Sequence, residues 1–128
     1  MTVVRISDDA LALALGADSV ADAFAAAGCT VERVSSWGMH WLEPLVEIAG
    51  QGFGPASPAD VPGILAGTSD KAIGVIADHP FIKPQQRLTF ARAGRTRPLS
   101  LEDYAATGGW AALDRARGMA SADVVAEV

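Results

Sequence analysis

The chain has 128 residues, half of them hydrophobic, with 15 acidic and 10 basic side chains and a formal net charge of −5. That length suits one average domain, or a small one carrying a substantial attachment. The single cysteine, Cys29, excludes an internal disulfide framework and any cysteine-ligated iron–sulfur or structural zinc site within one chain.

Thr2 to Ile6 reads as a first strand, rich in β-branched residues and ended by Ser7-Asp8-Asp9. Ala10 to Ala27 reads as helix, with Gly16 and Asp18 marking a break and a new start. Val20, Phe24 and Ala27 fall at i, i+4 and i+7, an apolar stripe suited to a sheet face. Gly28 stands where a helix C-cap belongs. Thr30 to Ser35 is a second strand, and a loop from Ser36 to Pro44 leads to a third, Leu45–Ile48. Ala49-Gly50-Gln51-Gly52 is turn chemistry, so Gln51 to Gly54 returns as a short hairpin partner. Ser57-Pro58-Ala59-Asp60 combines an N-cap, a proline at the first helical position and an acid in the first turn. The helix it opens runs to about Ala66, with Gly67 as its stop.

A helix between strands one and two favours a parallel crossover, and the later hairpin is antiparallel. The expected fold is therefore α/β, a small thioredoxin-like domain over residues 1–68 with a mixed sheet covered by helices.

The second half reads differently. Lys71 to Ala77 has apolar residues at 72, 73, 75 and 76 but no clear period. Asp78 to Gly94, with Pro80 and Pro84, reads as an extended connector carrying a short strand-like or helical piece at Arg87–Ala91. Ser100-Leu101-Glu102-Asp103 starts a helix with an acid at N3, and Gly108-Gly109 breaks it. Trp110 to Arg117 forms another helix, closed by Gly118. Ser121-Ala122-Asp123 opens a last one, Val124 to Val128. The chain stops inside that helical pattern on an apolar residue, so a fragment of a larger protein is expected.

Charge is unevenly spread. His79 to Leu101 holds no acid, while Lys83, Arg87, Arg92, Arg95 and Arg97 give +5; the remaining residues hold all 15 acids and five bases, hence −10. With an acidic total and Leu88, Phe90 and Pro98 interleaved, this stretch is read as an arm lying on an acidic protein surface, not as a nucleic-acid patch.

Ser36-Trp37-Gly38-Met39-His40-Trp41-Leu42-Glu43-Pro44 is the most unusual local sequence. Its aromatics could make a ligand pocket, and His40 with Glu43 could form an acid–base pair. The preferred reading is that the tryptophans cover one end of the sheet and His40 is merely hydrogen-bonded there, because nothing nearby orients it as a base. Cys29 follows a helix-ending glycine with no adjacent cation, which fits a small half-buried side chain rather than a nucleophile. Gly50-Gln51-Gly52-Phe53-Gly54 precedes no helix N-terminus directly and reads as a turn, not a phosphate loop. No catalytic, cofactor-binding or metal-ligating residue is assigned.

Two blocks resemble a known family. One is Trp41-Leu42-Glu43-Pro44-Leu45-Val46-Glu47 with Phe53-Gly54-Pro55 and Ser57-Pro58-Ala59-Asp60-Val61. The other is His79-Pro80-Phe81 with Gln85-Gln86-Arg87-Leu88-Thr89-Phe90-Ala91-Arg92, then Pro98-Leu99-Ser100-Leu101-Glu102-Asp103-Tyr104 and Gly108-Gly109-Trp110. Together they resemble the N-terminal part of the beta (diaphorase, NADH-binding flavoprotein) subunit of NAD-dependent formate dehydrogenases with molybdenum or tungsten. That subunit is related to the flavoprotein subunit of respiratory complex I and to the diaphorase of NAD-reducing hydrogenases.

The resemblance implies a ferredoxin-type thioredoxin-like domain at 1–68, then at 69–128 a connector and helical lead-in to a flavin- and NADH-binding domain. In cluster-bearing relatives a Cys-x-Gly-x-Cys loop precedes a proline and the third strand. Here the matching loop is Ser36-Trp37-Gly38-Met39-His40, and no cysteine stands between Ser7 and Leu13, where the other pair would fall. The implied domain is therefore clusterless, with Trp37 and Trp41 filling the vacated loop. The FMN loop, the NADH site and a [4Fe–4S] cluster would follow Val128, so the fragment itself binds no cofactor and is expected to be inactive alone. FMN, NAD and iron–sulfur clusters are implied for the full subunit and complex, which passes electrons from formate to NAD⁺. The implied role here is scaffold and docking to a catalytic alpha and a small ferredoxin-like gamma subunit. The opening residues lack a basic-then-apolar leader and no stretch is long enough to span a bilayer, so a cytoplasmic protein without membrane contact is expected. Two other readings stand beside this one: a non-enzymatic thioredoxin-like adaptor binding a partner protein, and a small stand-alone enzyme using His40 and Glu43.

Overall fold

The computed structural model describes all 128 residues, which divide into two compact units, Met1–Pro98 and Leu99–Val128. In the first unit the elements run β1 (Val3–Ser7), α1 (Ala10–Ala14), α2 (Ala17–Ala26), β2 (Thr30–Val34), β3 (Val46–Ile48), β4 (Gln51–Phe53), α3 (Val61–Ala66) and β5 (Ala72–Val75). Short 3-10 turns occupy His40–Leu42, Pro58–Asp60 and Ile76–Asp78. The five strands form one mixed sheet in the order β2-β1-β3-β4-β5, with β1 and β2 parallel and every other pair antiparallel. The fold is mixed α/β, as the element order predicts.

Alternation along the strands separates two faces. Val4 and Ile6 of β1 and Val46 of β3 point to one side, where Val20, Ala21 and Phe24 of α2 and Val61 and Ile64 of α3 close over them. Phe24, Val4, Ile6 and Val46 are wholly buried. Gly16 breaks the long helical pattern with a left-handed φ of 97° and starts α2. The β3–β4 hairpin turns on Ala49 and Gly50, both at positive φ. That is the backbone twist a two-residue hairpin loop needs, although Ala49 is a poor residue for it.

Arg5 and Glu47 point to the opposite face, with Glu32 beside them in the β1–β2 register. Arg5 bonds both carboxylates, at 2.9 Å to Glu32 and 3.0 Å to Glu47. Burial works against the charge of Arg5, but hydrogen bonds and attraction from Glu47 and Glu32 outweigh it and raise its pKa. Beyond this trio a second apolar cluster gathers Met39, Leu45, Ile76 and Ile82, with Trp37, Leu42 and Ile73 against it.

The structure corrects the sequence reading in two places. The first domain is expected to close near residue 68, but Ala72–Val75 adds a fifth strand to β4, and the compact unit continues to Pro98. Residues 79–98 are a run of tight turns, not an extended connector with a strand or helix at Arg87–Ala91. Ile82 is buried, so this stretch belongs to the folded unit. The strand was hidden because Gly74 and the half-exposed position of an edge strand erase the alternation that marks β1.

The second unit holds α4 (Leu101–Ala106), α5 (Ala111–Arg117) and α6 (Ser121–Glu127). Ser100 caps α4 by accepting the Asp103 N–H at 3.1 Å. Tyr104 and Trp110 pack edge to face at 4.9 Å across the Gly108-Gly109 corner. No residue from 99 to 128 is buried. No helix in the chain is long and apolar enough to cross a membrane.

Candidate functional site

The loop between β2 and β3 is held by hydrogen bonds converging on Ser36. Its N–H donates to Asp9 Oδ2 at 2.7 Å, and its hydroxyl donates to Glu43 Oε1 at 2.7 Å while accepting the Gly38 N–H. Glu43 is buried, and its other oxygen accepts the Leu45 N–H at 2.9 Å. A short polar residue at 36 and a carboxylate at 43 thus fix the path of the intervening aromatic segment.

Trp37 is the pivot. Its carbonyl accepts an Arg87 guanidinium N–H at 2.7 Å, and the Arg87 and Arg95 guanidinium carbons each lie 5.6 Å from its ring centroid. Gly94 packs against the indole, and its N–H reaches Ser35 Oγ at 3.3 Å. Burial and the neighbouring charge of Arg95 lower the pKa of Arg87. Two cations therefore stack on one aromatic ring and repel each other.

Between this loop and the 81–93 segment lies an open cleft of about 730 Å³. Its walls include Trp37, His40, Phe81, Arg87, Leu88 and Phe90. Leu88 is 90% exposed and Phe90 70%, and Trp41 stacks edge-on against Phe81 at 4.9 Å just outside. Together these side chains form an exposed apolar patch beside the cleft.

The residues that the sequence singles out for chemistry are not assembled into a reaction centre. The His40 imidazole is exposed and makes no side-chain hydrogen bond, whereas the Glu43 carboxylate is committed to Ser36 and Leu45. They do not form an acid–base pair. Cys29 is half-buried against the α2–α3 core. Gly50 and Gly52 lie in the β3–β4 hairpin, and Gly54 follows it. No three His, Cys, Asp or Glu side chains converge as metal ligands.

Trp37 packs against the second apolar cluster, whereas Trp41 lies mostly in solvent. Arg87 and Arg95 stack on the Trp37 indole, and Lys83 pairs at 3.2 Å with Asp78, which stands just before the acid-free run. The Trp37–Arg87–Arg95 grouping escapes sequence reading, although the acid-free basic run marks the stretch from which two of its members come. No protein-family model and no curated protein matches this chain.

Proposed function

We propose that this chain is the N-terminal part of the beta (diaphorase) subunit of an NAD-dependent formate dehydrogenase, serving as scaffold and subunit-docking region. In that role it is a clusterless, ferredoxin-type thioredoxin-like domain followed by a helical lead-in to the flavin- and NADH-binding part of a cytoplasmic oxidoreductase complex. The carrying observation is the exposed aromatic cleft at the Ser36–His40 loop. The resemblance puts a cluster-ligand loop at that position, and the chain instead presents Trp37, Phe81, Leu88 and Phe90 around an open hollow. A strand order of β2-β1-β3-β4 with a helical β1–β2 crossover supports the thioredoxin-like plan. The second unit supports a docking role, since Leu99, Leu101, Tyr104, Trp110 and Val125 all keep substantial apolar surface exposed.

These residues would position neighbours rather than transfer electrons. FMN, NAD and the iron–sulfur centres belong, on this reading, to the full subunit and its partners. The same cleft also favours a second reading, a thioredoxin-like adaptor that binds a partner protein outside any redox complex.

Co-expression with the catalytic and small ferredoxin-like subunits of a formate dehydrogenase separates the two. Co-purification in defined stoichiometry, lost on Leu88→Ser and Phe90→Ser, supports the diaphorase reading. A monodisperse chain that ignores both subunits refutes it and leaves the adaptor.

A further inference from the structure

Next to the aromatic cleft, and sharing Trp37, Gln85 and Arg87 with it, lies a smaller hollow of about 290 Å³ whose walls also include Ile82, Lys83 and Arg95. Three of these side chains are cationic and none is acidic. Asp78 reaches Lys83 from outside at 3.2 Å, an exposed pair that water and salt weaken. Arg87 spends one N–H on Gln85 Oε1 and another on the Trp37 carbonyl, both uncharged acceptors. Arg95 stacks on Trp37 and forms no ion pair. Glu47 lines an adjoining hollow with Arg95, yet it is already held by Arg5 and the Gly50 N–H. The Trp37 indole N–H is buried without an acceptor.

Gathering like charges around an aromatic ring is unfavourable unless something of opposite sign joins them. We propose that this hollow is a binding site for a doubly charged oxyanion of the phosphate-monoester class. Guanidinium forks from Arg87 and Arg95 match tetrahedral oxyanion geometry, and the Lys83 ammonium adds a mobile point charge at the rim. A dianion balances most of the three positive charges, which a chloride or a monocarboxylate does not. At about 290 Å³ the hollow is ample for a phosphate group, and a carrier attached to that group can extend beyond it. Burial, and after it the charge of Arg95, lowers the pKa of Arg87, so the two guanidinium groups that face this hollow also work against each other. This site does not depend on the diaphorase reading.

The test is a titration of the isotope-labelled 128-residue chain with inorganic phosphate near neutral pH, following the indole N–H resonances by NMR. Sodium chloride at matched ionic strength is the control. Phosphate should shift the Trp37 signal saturably, and chloride should not. Arg95→Gln should weaken binding roughly tenfold, the loss of one charge-assisted contact. Lys83→Gln, at an exposed position that keeps the fold, should weaken it to a lesser degree. Glycerol 3-phosphate is the second probe. Equal affinity assigns the site to free phosphate, and tighter binding assigns it to a phosphate carried on a larger molecule; either result upholds the oxyanion site. A linear response that chloride reproduces, or full binding by a folded Lys83→Gln/Arg95→Gln double variant, overturns it.

Discussion

Gly94 lies against the face of the Trp37 indole so closely that a Cβ at this position would overlap the ring, and its φ of 79° is one that other residues rarely adopt. Both constraints select glycine, and together they join the 79–98 turns to the β2–β3 loop. Gly94→Ala should therefore cost about 1–3 kcal/mol from overpacking and backbone strain. Its tryptophan emission should shift to the red as Trp37 becomes wetter. A variant with parental stability and emission would show that the segment does not rest on this contact.

Glu47 offers a sharper measure of the covered sheet face. Its side chain is 8% exposed and pairs with Arg5, which is 36% exposed, while also accepting the Gly50 N–H that closes the hairpin. Removing the carboxylate strands a partly desolvated guanidinium and a turn N–H together. Glu47→Ala should lose about 2–3 kcal/mol in urea unfolding, less than for a wholly buried pair because Arg5 retains water. Glu32→Ala, at the more exposed end of the trio, should lose under about 1 kcal/mol.

What the sequence makes legible follows the strength of local signals. The run Val3-Val4-Arg5-Ile6, the Gly16 break, the Ala49-Gly50 turn and the Ser57–Asp60 start all rest on chemistry within a few residues, and all appear in the structure. β5 does not announce itself, because it is an edge strand with a glycine and little burial. The oxyanion hollow is illegible for another reason. It brings Trp37 to Arg87 and Arg95, about fifty residues further on, through turns that carry no periodicity. A charge census marks the arm, and only tertiary structure reveals that two of its arginines share one ring.

Acid should weaken the start of α3 in a definite direction. The Ser57 hydroxyl and then its N–H donate to Asp60 Oδ2, and these bonds hold the Asp60 carboxyl below its ordinary pKa. A depressed folded pKa gives stability that is complete above the unfolded value, about 3.9, and lost as pH falls through the folded one. Asp60→Ala should lower the unfolding midpoint at about pH 7 and have little effect near pH 2. The same loss at both pH values would assign the effect to packing instead of charge.

Backbone protection should follow burial. β1 is paired on both sides and its Val4 and Ile6 are wholly buried, so Val4–Ile6 and Val46–Ile48 should exchange slowest. Helices α4, α5 and α6 have six or seven residues each and bury nothing, well short of the roughly 12–15 residues at which isolated helices become stable. Their amides in the 128-residue chain should exchange within seconds to minutes. Protection of 101–127 equal to that of β1 would mean that the second unit is stabilised by itself and needs no neighbour.

The proposed diaphorase role also makes a claim about cofactors that this chain alone can test. FMN phosphate is gripped where several backbone N–H groups meet the positive end of a helix, and a glycine-rich loop brings them close enough. The residues before α6 are Met119, Ala120 and Ser121, which give no such loop, and α6 has seven residues, too short for a strong dipole. An iron–sulfur cluster needs several thiolates, and Cys29 is the lone cysteine, packed half-buried against the α2–α3 core. The 128-residue chain should therefore leave FMN fluorescence unchanged, stay colourless after anaerobic treatment with iron and sulfide, and lack NADH oxidation with an artificial acceptor. A chain carrying the rest of the flavoprotein should gain flavin and activity. Saturable low-micromolar quenching of FMN by the 128-residue chain would place a flavin site within it and remove the division between scaffold and catalyst on which the proposal rests.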